Sequence, residues 1–128
     1  MTAPDEPDSP LGRALVEAIA HKDDAALSVL LSTDLDFRAM TPARVWEAAS
    51  VTEVLAAVHE WFDENDHIEA VEHVETDAFA DRQRVGYRLR VRNDEGLHLV
   101  DQQAYLGVRD GQIAWMRLIC AGFRPIEG

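Results

Sequence analysis

LHLVDQQAYLGVRDGQIAWMRLIC, Leu97 to Cys120, is the stretch on which the fold turns. Asp110-Gly111 lies between two runs of alternating apolar and polar residues, the pattern of a tight hairpin between antiparallel strands. The same two-residue period extends upstream. Arg84 to Arg92 alternates Val85, Tyr87, Leu89 and Val91 with arginines, Asn93 to Gly96 turns the chain, and Ile68 to Thr76 supplies one more strand.

Before Asn65 the period changes. Leu11, Ala14, Leu15, Ala18 and Ile19 follow the spacing of a one-faced helix, and His21-Lys22 places positive charge at its last turn. Asp23-Asp24 caps a second short helix that buries Leu27, Leu30 and Leu31. Leu35 to Met40 reads as a short strand ended by Thr41-Pro42. Ser50-Val51-Thr52-Glu53 has capping-box spacing and opens a third helix with Val51, Val54, Leu55, Val58 and Phe62 on one face. Helix, helix, short strand, helix and then long antiparallel strands is an α+β order. The helices need an apolar sheet face to cover, and the sheet must curl to receive them. The expected architecture is therefore a cone-shaped α+β barrel, three N-terminal helices packed on a strongly curved antiparallel sheet. A ligand cavity at the open end is its natural product.

The totals narrow the function classes. At 128 residues and 47% hydrophobic, the chain has the size and core of one domain. Residues 1–10 hold three of the five prolines and three acids, so a disordered tail is expected there, followed by a single domain over 11–128. With 24 acidic against 12 basic residues the net charge is −12, which repels phosphate backbones and anionic lipid. Neither nucleic acid nor a membrane is expected as partner. No apolar run has the length of a membrane span, and MTAPDEPDSP lacks the regions of a signal peptide. A single cysteine forms no internal disulfide, so a cytoplasmic setting is expected.

Three segments, HKDDAALSVLLSTDLDF (His21–Phe37), the Val45-Trp46 pair before the third helix, and DGQIAWMR (Asp110–Arg117), carry a resemblance. In their order and spacing the chain resembles the nuclear transport factor 2-like superfamily, in its SnoaL-like branch of small bacterial proteins, over nearly all of residues 11–125. That superfamily holds ketosteroid isomerases, polyketide cyclases, dehydratases, epoxide hydrolases and non-catalytic binding proteins, so the resemblance implies a fold and leaves activity open. The isomerase chemistry needs an inward carboxylate base with a tyrosine and a protonated aspartic acid donating to an enolate oxygen. Along the matching junction these positions fall on Ala39, on Leu15 and, in the strand before the Asp110-Gly111 hairpin, near Ala104. All three groups are missing, although Met116 matches an apolar pocket residue. The acid–arginine–acid arrangement of the epoxide hydrolases is not seen.

The resemblance also implies which face looks inward. If Met116 lines the cone, alternation adds Ala114, Leu118 and Cys120, then His98, Val100, Gln102, Ala104, Leu106 and Val108, then Val85, Tyr87, Leu89 and Val91. From the helices and a lid-like loop come Phe37, Trp46, Val58, Phe62 and His59. The expected ligand-binding set is thus Phe37, Trp46, Val58, His59, Phe62, Tyr87, Leu89, Gln102, Ala104, Met116, Leu118 and Cys120. Gln102 buries an amide that needs partners, either on a ligand or on Tyr87. His59 and Tyr87 are the candidate catalytic residues, His59 because imidazole titrates near neutral pH. His98 is expected at the sheet rim. Cys120 is read as an inert wall residue, since apolar surroundings raise a thiol's pKa and no histidine is placed to activate it.

Other clusters have simpler readings. His73, Glu75 and Asp77 share one strand face, but zinc or iron would need a second histidine converging from elsewhere, so no metal is expected, and no cofactor. Arg82, Arg84, Arg88, Arg90 and Arg92 face Glu69, Glu75 and Asp77 across the ladder and should pair with them. Leu99, Tyr105, Trp115 and Ile119 share the outward face, too much apolar surface for solvent alone. A homodimer through that face is expected, with Arg117 and Asp101 bonding within or across it. Three functional readings follow. The preferred one is a SnoaL-like protein that binds a small hydrophobic molecule in the cone. The alternatives are a cyclase, isomerase or dehydratase-type enzyme working by acid/base chemistry on a polyketide- or terpenoid-like substrate, and a non-catalytic homodimeric interaction module.

Overall fold

The computed structural model describes residues 9–127. The expected tail lies outside them except for Ser9 and Pro10, which already belong to the first helix. Helix α1 spans Pro10–Ala20; Ser9 is its N-cap, its Oγ accepting from the Gly12 amide at 2.9 Å, and proline's missing N–H costs nothing at the first helical position. Helix α2, Asp24–Leu30, is capped by Asp23, which accepts from the Ala26 amide at 3.0 Å. Helix α3, Val51–Trp61, is capped by Ser50, and Glu53 folds back to accept from the Ala49 amide at 3.0 Å. Lys22, in the left-handed region with φ +53°, ties the α1–α2 corner to the end of α3. Its Nζ donates to the Asp63 and Asp66 carbonyls at 2.6 and 2.5 Å.

The strands are β1 (Leu31–Thr41), β2 (Arg44–Ala48), β3 (His67–Phe79), β4 (Arg82–Asn93), β5 (Gly96–Arg109) and β6 (Gln112–Ile126). They form one six-stranded sheet in the order β2-β1-β6-β5-β4-β3. The helices cover its concave face, which is the expected α+β cone, left unclosed between the edges β2 and β3. Two features depart from the expected antiparallel sheet. Val45-Trp46 belongs to a strand rather than a lid-like loop: β2 folds back on β1 through Pro42-Ala43 and pairs Ala39 with Trp46. And β1 joins β6 in parallel, Phe37 beside Met116 and Ala39 beside Leu118. No local periodicity reports a pairing between segments so far apart in sequence.

The concave wall is mostly the one expected. Val85, Leu89, Val91, Val100, Ala104 and Leu106 are fully buried, with Met116 and Leu118 beside them. Val108 and Ala114 do not join it. Trp115 pairs with Gly107 and Ile113 with Val108, so Ala114 is an extra residue that shifts the parity of β6. Ile113 turns inward with no exposed surface, and Val108 is left 37% exposed. A second bulge follows, where Val100 faces Phe123 while Gln102 faces Cys120. Bulges bend a strand and raise its twist, as a cone's wall requires. Against this wall α1 packs Leu15, Val16 and Ile19, and α3 packs Val54, Ala57 and Trp61. Ala39, Leu15 and Ala104, the positions onto which the resemblance carries the isomerase groups, all lie buried in this apolar core.

On the convex face the arginines are paired within the chain. Arg84 binds Asp77, with Nε at 2.8 Å, and Glu75 at 3.3 Å; Arg92 binds Glu69 at 2.7 Å, and Arg90 binds Glu72 at 3.2 Å. Arg88 turns instead to Asp101 on β5, at 2.8 Å, and Arg82 lies over the Trp115 ring, 4.2 Å from its centre. Arg117 covers Trp115 at 4.6 Å and pairs with Asp36 at 3.1 Å. Among the described residues no helix is long and apolar enough to cross a membrane.

Candidate functional site

The narrow part of the cone is filled. Phe37, Leu89, Ala104, Met116 and Leu118 are all within 2% of full burial and belong to one core cluster, with Val58 half-buried against it. One open space lies at the mouth, a cavity of about 220 Å³ lined by Thr41, Pro42, Trp46, Trp61, Phe62, Cys120, Gly122 and Phe123, with Glu60 at the rim. The sequence-predicted residues Trp46, Phe62 and Cys120 therefore meet at one cavity, while Phe37, Val58, Leu89, Ala104, Met116 and Leu118 form the core that supports it.

The lining is aromatic by construction. Trp61 stacks on Phe37 at 6.2 Å and meets Trp46 edge-on at 6.0 Å. Phe62 packs beside Phe123 at 5.8 Å, and His98 meets Phe123 edge-on at 5.7 Å. Arg44 lies 3.5 Å over the Trp46 ring and reaches toward Glu60 at 4.0 Å, which places one cation and one carboxylate at the entrance. Trp46 itself is oriented by its indole N–H, which donates to the Thr41 hydroxyl at 2.9 Å.

A polar row crosses the apolar wall at this level. Tyr87 pairs with Gln102 across β4 and β5, and Gln102 pairs with Cys120 across β5 and β6. The Tyr87 hydroxyl donates to Gln102 Oε1 at 2.5 Å. Burial, with Cys120 as a smaller influence, pushes the Tyr87 pKa well above its ordinary value of 10.0. The structure thus supplies the Tyr87–Gln102 bond that one reading of the sequence expected. It leaves the Gln102 amide nitrogen buried without a protein acceptor, Trp61 Nε1 likewise, and His98 Nδ1 without a partner of either kind. An unpartnered buried N–H costs about 1–3 kcal/mol, so each of these asks for a physical account. Exchanging the Gln102 amide atoms does not remove the problem, because Tyr87 serves only one end of the amide.

The remaining candidates separate from this site. His59 is not in it: the ring projects from the outer side of α3, 57% exposed, and binds Asp24 of α2 at 2.8 Å. His98 is buried rather than at an exposed rim, because β6 continues past Cys120 and lays Phe123 and Pro125 beside it. The Cys120 thiol is buried and accepts from the Gly122 amide at 3.4 Å. Glu75 and Asp77 are occupied by Arg84, and His73 lies 3.3 Å from Glu75. Trp61 and Phe123 are the site residues that periodicity missed. Trp61 stands seven residues after Val54 and three after Val58, a spacing that was available; Phe123 lies beyond a bulge that breaks the alternation.

Comparison with known proteins bears on the fold. No protein-family model matches the chain, and no curated protein matches it. Among solved structures, an NTF2-like protein from Burkholderia xenovorans is similar over 86% of this chain and 86% of its own, with a TM-score of 0.61 and 16% identity. The chain has the nuclear transport factor 2-like fold. Two other structures with this fold show how widely its activities spread. An LEH-like epoxide hydrolase from Mycobacterium tuberculosis matches with a TM-score of 0.63 and 12% identity, over 86% of this chain and 79% of that one. A protein of Xanthomonas campestris proposed to be a polyketide cyclase matches with a TM-score of 0.65 and 17% identity, over 85% of this chain and 86% of that one. At such identities the NTF2-like fold is shared and the chemistry is not carried with it.

Proposed function

We propose that this protein is a SnoaL-like binder of a small hydrophobic molecule, held at the mouth of the cone. The observation that supports this reading is the cavity of about 220 Å³ walled by Trp46, Trp61, Phe62 and Phe123. An apolar void of about 150 Å³ accommodates benzene, so the mouth suits one substituted ring or a small bicycle. Pockets of this kind bind by burying apolar ligand surface against a largely preformed wall, and the core beneath this one holds its shape. Acid/base catalysis by His59 and Tyr87 finds no support in the geometry. His59 is turned away, and Tyr87 commits its proton to Gln102 while burial disfavours the tyrosinate.

The test is titration of the full chain with tetralin, followed by the fluorescence of Trp46 and Trp61, with native mass spectrometry of the freshly purified protein as a second readout. Saturable quenching that is abolished by Cys120→Phe, which fills the mouth, is the expected result. A folded protein whose fluorescence tetralin leaves unchanged would overturn the reading.

A second reading rests on a separate observation. Met40, Val45 and Ile119 are 56%, 60% and 50% exposed and stand in one row of the convex face, since Met40 pairs with both Val45 and Ile119. Trp115, one of the apolar residues expected on the dimer face, is instead covered by Arg82 and Arg117. We infer that the homodimer expected of this face is centred on the Met40 row, at the β2–β1–β6 end of the sheet.

A further inference from the structure

We propose that the ligand is an organic cation, a fully alkylated ammonium on an apolar body, held at the mouth by its aromatic rings and the Glu60 carboxylate. The inference rests on the binding reading above and narrows it, because apolar burial alone does not distinguish a cation from a hydrocarbon of the same shape.

The lining carries two features that act together. Trp46, Trp61, Phe62 and Phe123 border one cavity of about 220 Å³, and the one charged side chain among the described residues that line it is Glu60. Aromatic rings attract a cation to their faces through the ring quadrupole, and a carboxylate beside them adds its charge.

The chain already places a cation against this wall. The Arg44 guanidinium lies 3.5 Å over the centre of the Trp46 ring and 4.0 Å from the Glu60 carboxylate. It is a loose occupant. The Arg44 and Glu60 side chains are 58% and 61% exposed, and a committed charge-assisted bond would be about 2.7–2.9 Å long. Arg44 does not itself line the cavity, whereas Trp46 and Glu60 do. Those two therefore form a cation-accepting pair whose tethered partner is an exposed side chain, able to swing aside.

The surroundings exclude other ligand chemistries. A carboxylate or phosphate would meet Glu60 and a chain of net charge −12, with no cationic side chain in the described lining to receive it. A primary ammonium needs acceptors for its N–H groups once it leaves water. The uncharged side-chain acceptors of the lining are already engaged. The Thr41 hydroxyl accepts from Trp46 Nε1 and donates to the Arg44 carbonyl, and the Cys120 sulfur accepts from the Gly122 amide. A fully alkylated ammonium has no N–H to satisfy and presents its charge through carbon. It needs rings and a carboxylate, and the mouth offers both.

The experiment compares phenyltrimethylammonium with tert-butylbenzene, two molecules of one shape that differ by a charge, on the full chain by tryptophan fluorescence. Wild type is expected to bind the cation at least about fivefold more tightly. Glu60→Gln keeps the size of the side chain without its charge and should bring the two affinities within about twofold. Arg44→Gln removes the tethered competitor and should widen the preference by about threefold. Both positions are exposed, so neither exchange disturbs the core. Excess tetralin should displace the cation. Equal affinities in wild type, or a preference for tert-butylbenzene, would overturn the cation assignment and leave the binding reading standing. A cation that tetralin does not displace, or a preference that Glu60→Gln leaves intact or Arg44→Gln does not widen, would also overturn it, because the charge would then be read elsewhere on an acidic surface. Failure of every probe, tetralin included, to bind folded wild type would sink the binding reading itself, a distinct result.

Discussion

The Tyr87–Gln102 bond ties the core to the site, because the same amide that Tyr87 satisfies at one end is unpartnered at the other. Removing the hydroxyl leaves Gln102 Oε1 buried and unpaired, so Tyr87→Phe should cost about 1–3 kcal/mol in urea unfolding at pH 7. The pH dependence follows from the raised pKa of Tyr87. The group is neutral when protonated and resists ionising in the fold, whereas in the unfolded chain it loses its proton near its ordinary 10.0. Above that pH the native state holds more protons than the unfolded state, and stability falls as pH rises, by about 1.4 kcal/mol per pH unit from this one group. Below it the contribution is fully present. The wild-type stability curve should therefore drop more steeply than that of Tyr87→Phe between pH 10 and 11, and parallel curves would show that Tyr87 is not buried as described. Cys120 beside it is a buried wall residue as well. The residue is 8% exposed and its sulfur already accepts from the Gly122 amide, so iodoacetamide should modify it in the folded chain only at the rate of unfolding, and at once in denaturant.

At the scale of the element, the shape of the mouth depends on how β6 bends. Gly122 has φ +91°, and a Cβ placed on it would stand 2.8 Å from Pro42 Cγ at the β1–β2 turn. Gly122→Ala thus combines a left-handed backbone with a clash against a ring that cannot swing away, and should destabilise the fold by about 1–3 kcal/mol. Pro42→Ala in the same chain should return part of that loss, and a double-mutant cycle of thermal melts that sums without coupling would contradict the contact. This bend also marks where reading from sequence stops. Helices α1, α2 and α3 were legible from their caps at Ser50 and Asp23 and from their apolar spacing, and β3 to β6 from alternation around Asp110-Gly111, because these signals are local. The strand β2 was not, since Arg44 to Ala48 is short and mostly exposed and therefore lacks a buried face to read. Nor were the two bulges in β6: each inserts one residue and inverts the parity beyond it, which brings Ile113 and Phe123 to the inner face against the alternation. Alternation therefore identified Tyr87, Gln102 and Cys120 correctly as wall residues but could not reach Phe123. His59 was misplaced for another reason. It was placed with the pocket from α3 alone, without α2, whose Asp24 binds the ring on the outside.

For the whole molecule, the two faces of the sheet divide the work: the concave face holds the core and the mouth, and the convex face is available to a second copy. Most charges on the convex face are already paired within the chain, Arg84 with Asp77 and Glu75, Arg88 with Asp101, Arg92 with Glu69, so they bring little unspent attraction to an interface. What remains is apolar. Met40, Val45 and Ile119 border a groove of about 350 Å³ with Arg38 and Arg117 at its edges, and a two-fold axis through this row would set the same patch on both protomers. Two chains of net charge −12 repel each other at long range, however, and that repulsion is screened by salt while apolar burial is not. The dimer should therefore tighten as salt is raised from about 0.02 M to 0.3 M, opposite to an interface held by ion pairs. Sedimentation velocity at micromolar concentration reads this directly. Ile119→Asp introduces two facing carboxylates across the axis and should yield a monomer at every salt concentration. Its titration with tetralin should be unchanged, because the mouth lies on the other face of the sheet. A monomeric wild type, or a dimer that dissociates with added salt, would refute the apolar Met40 row as the interface.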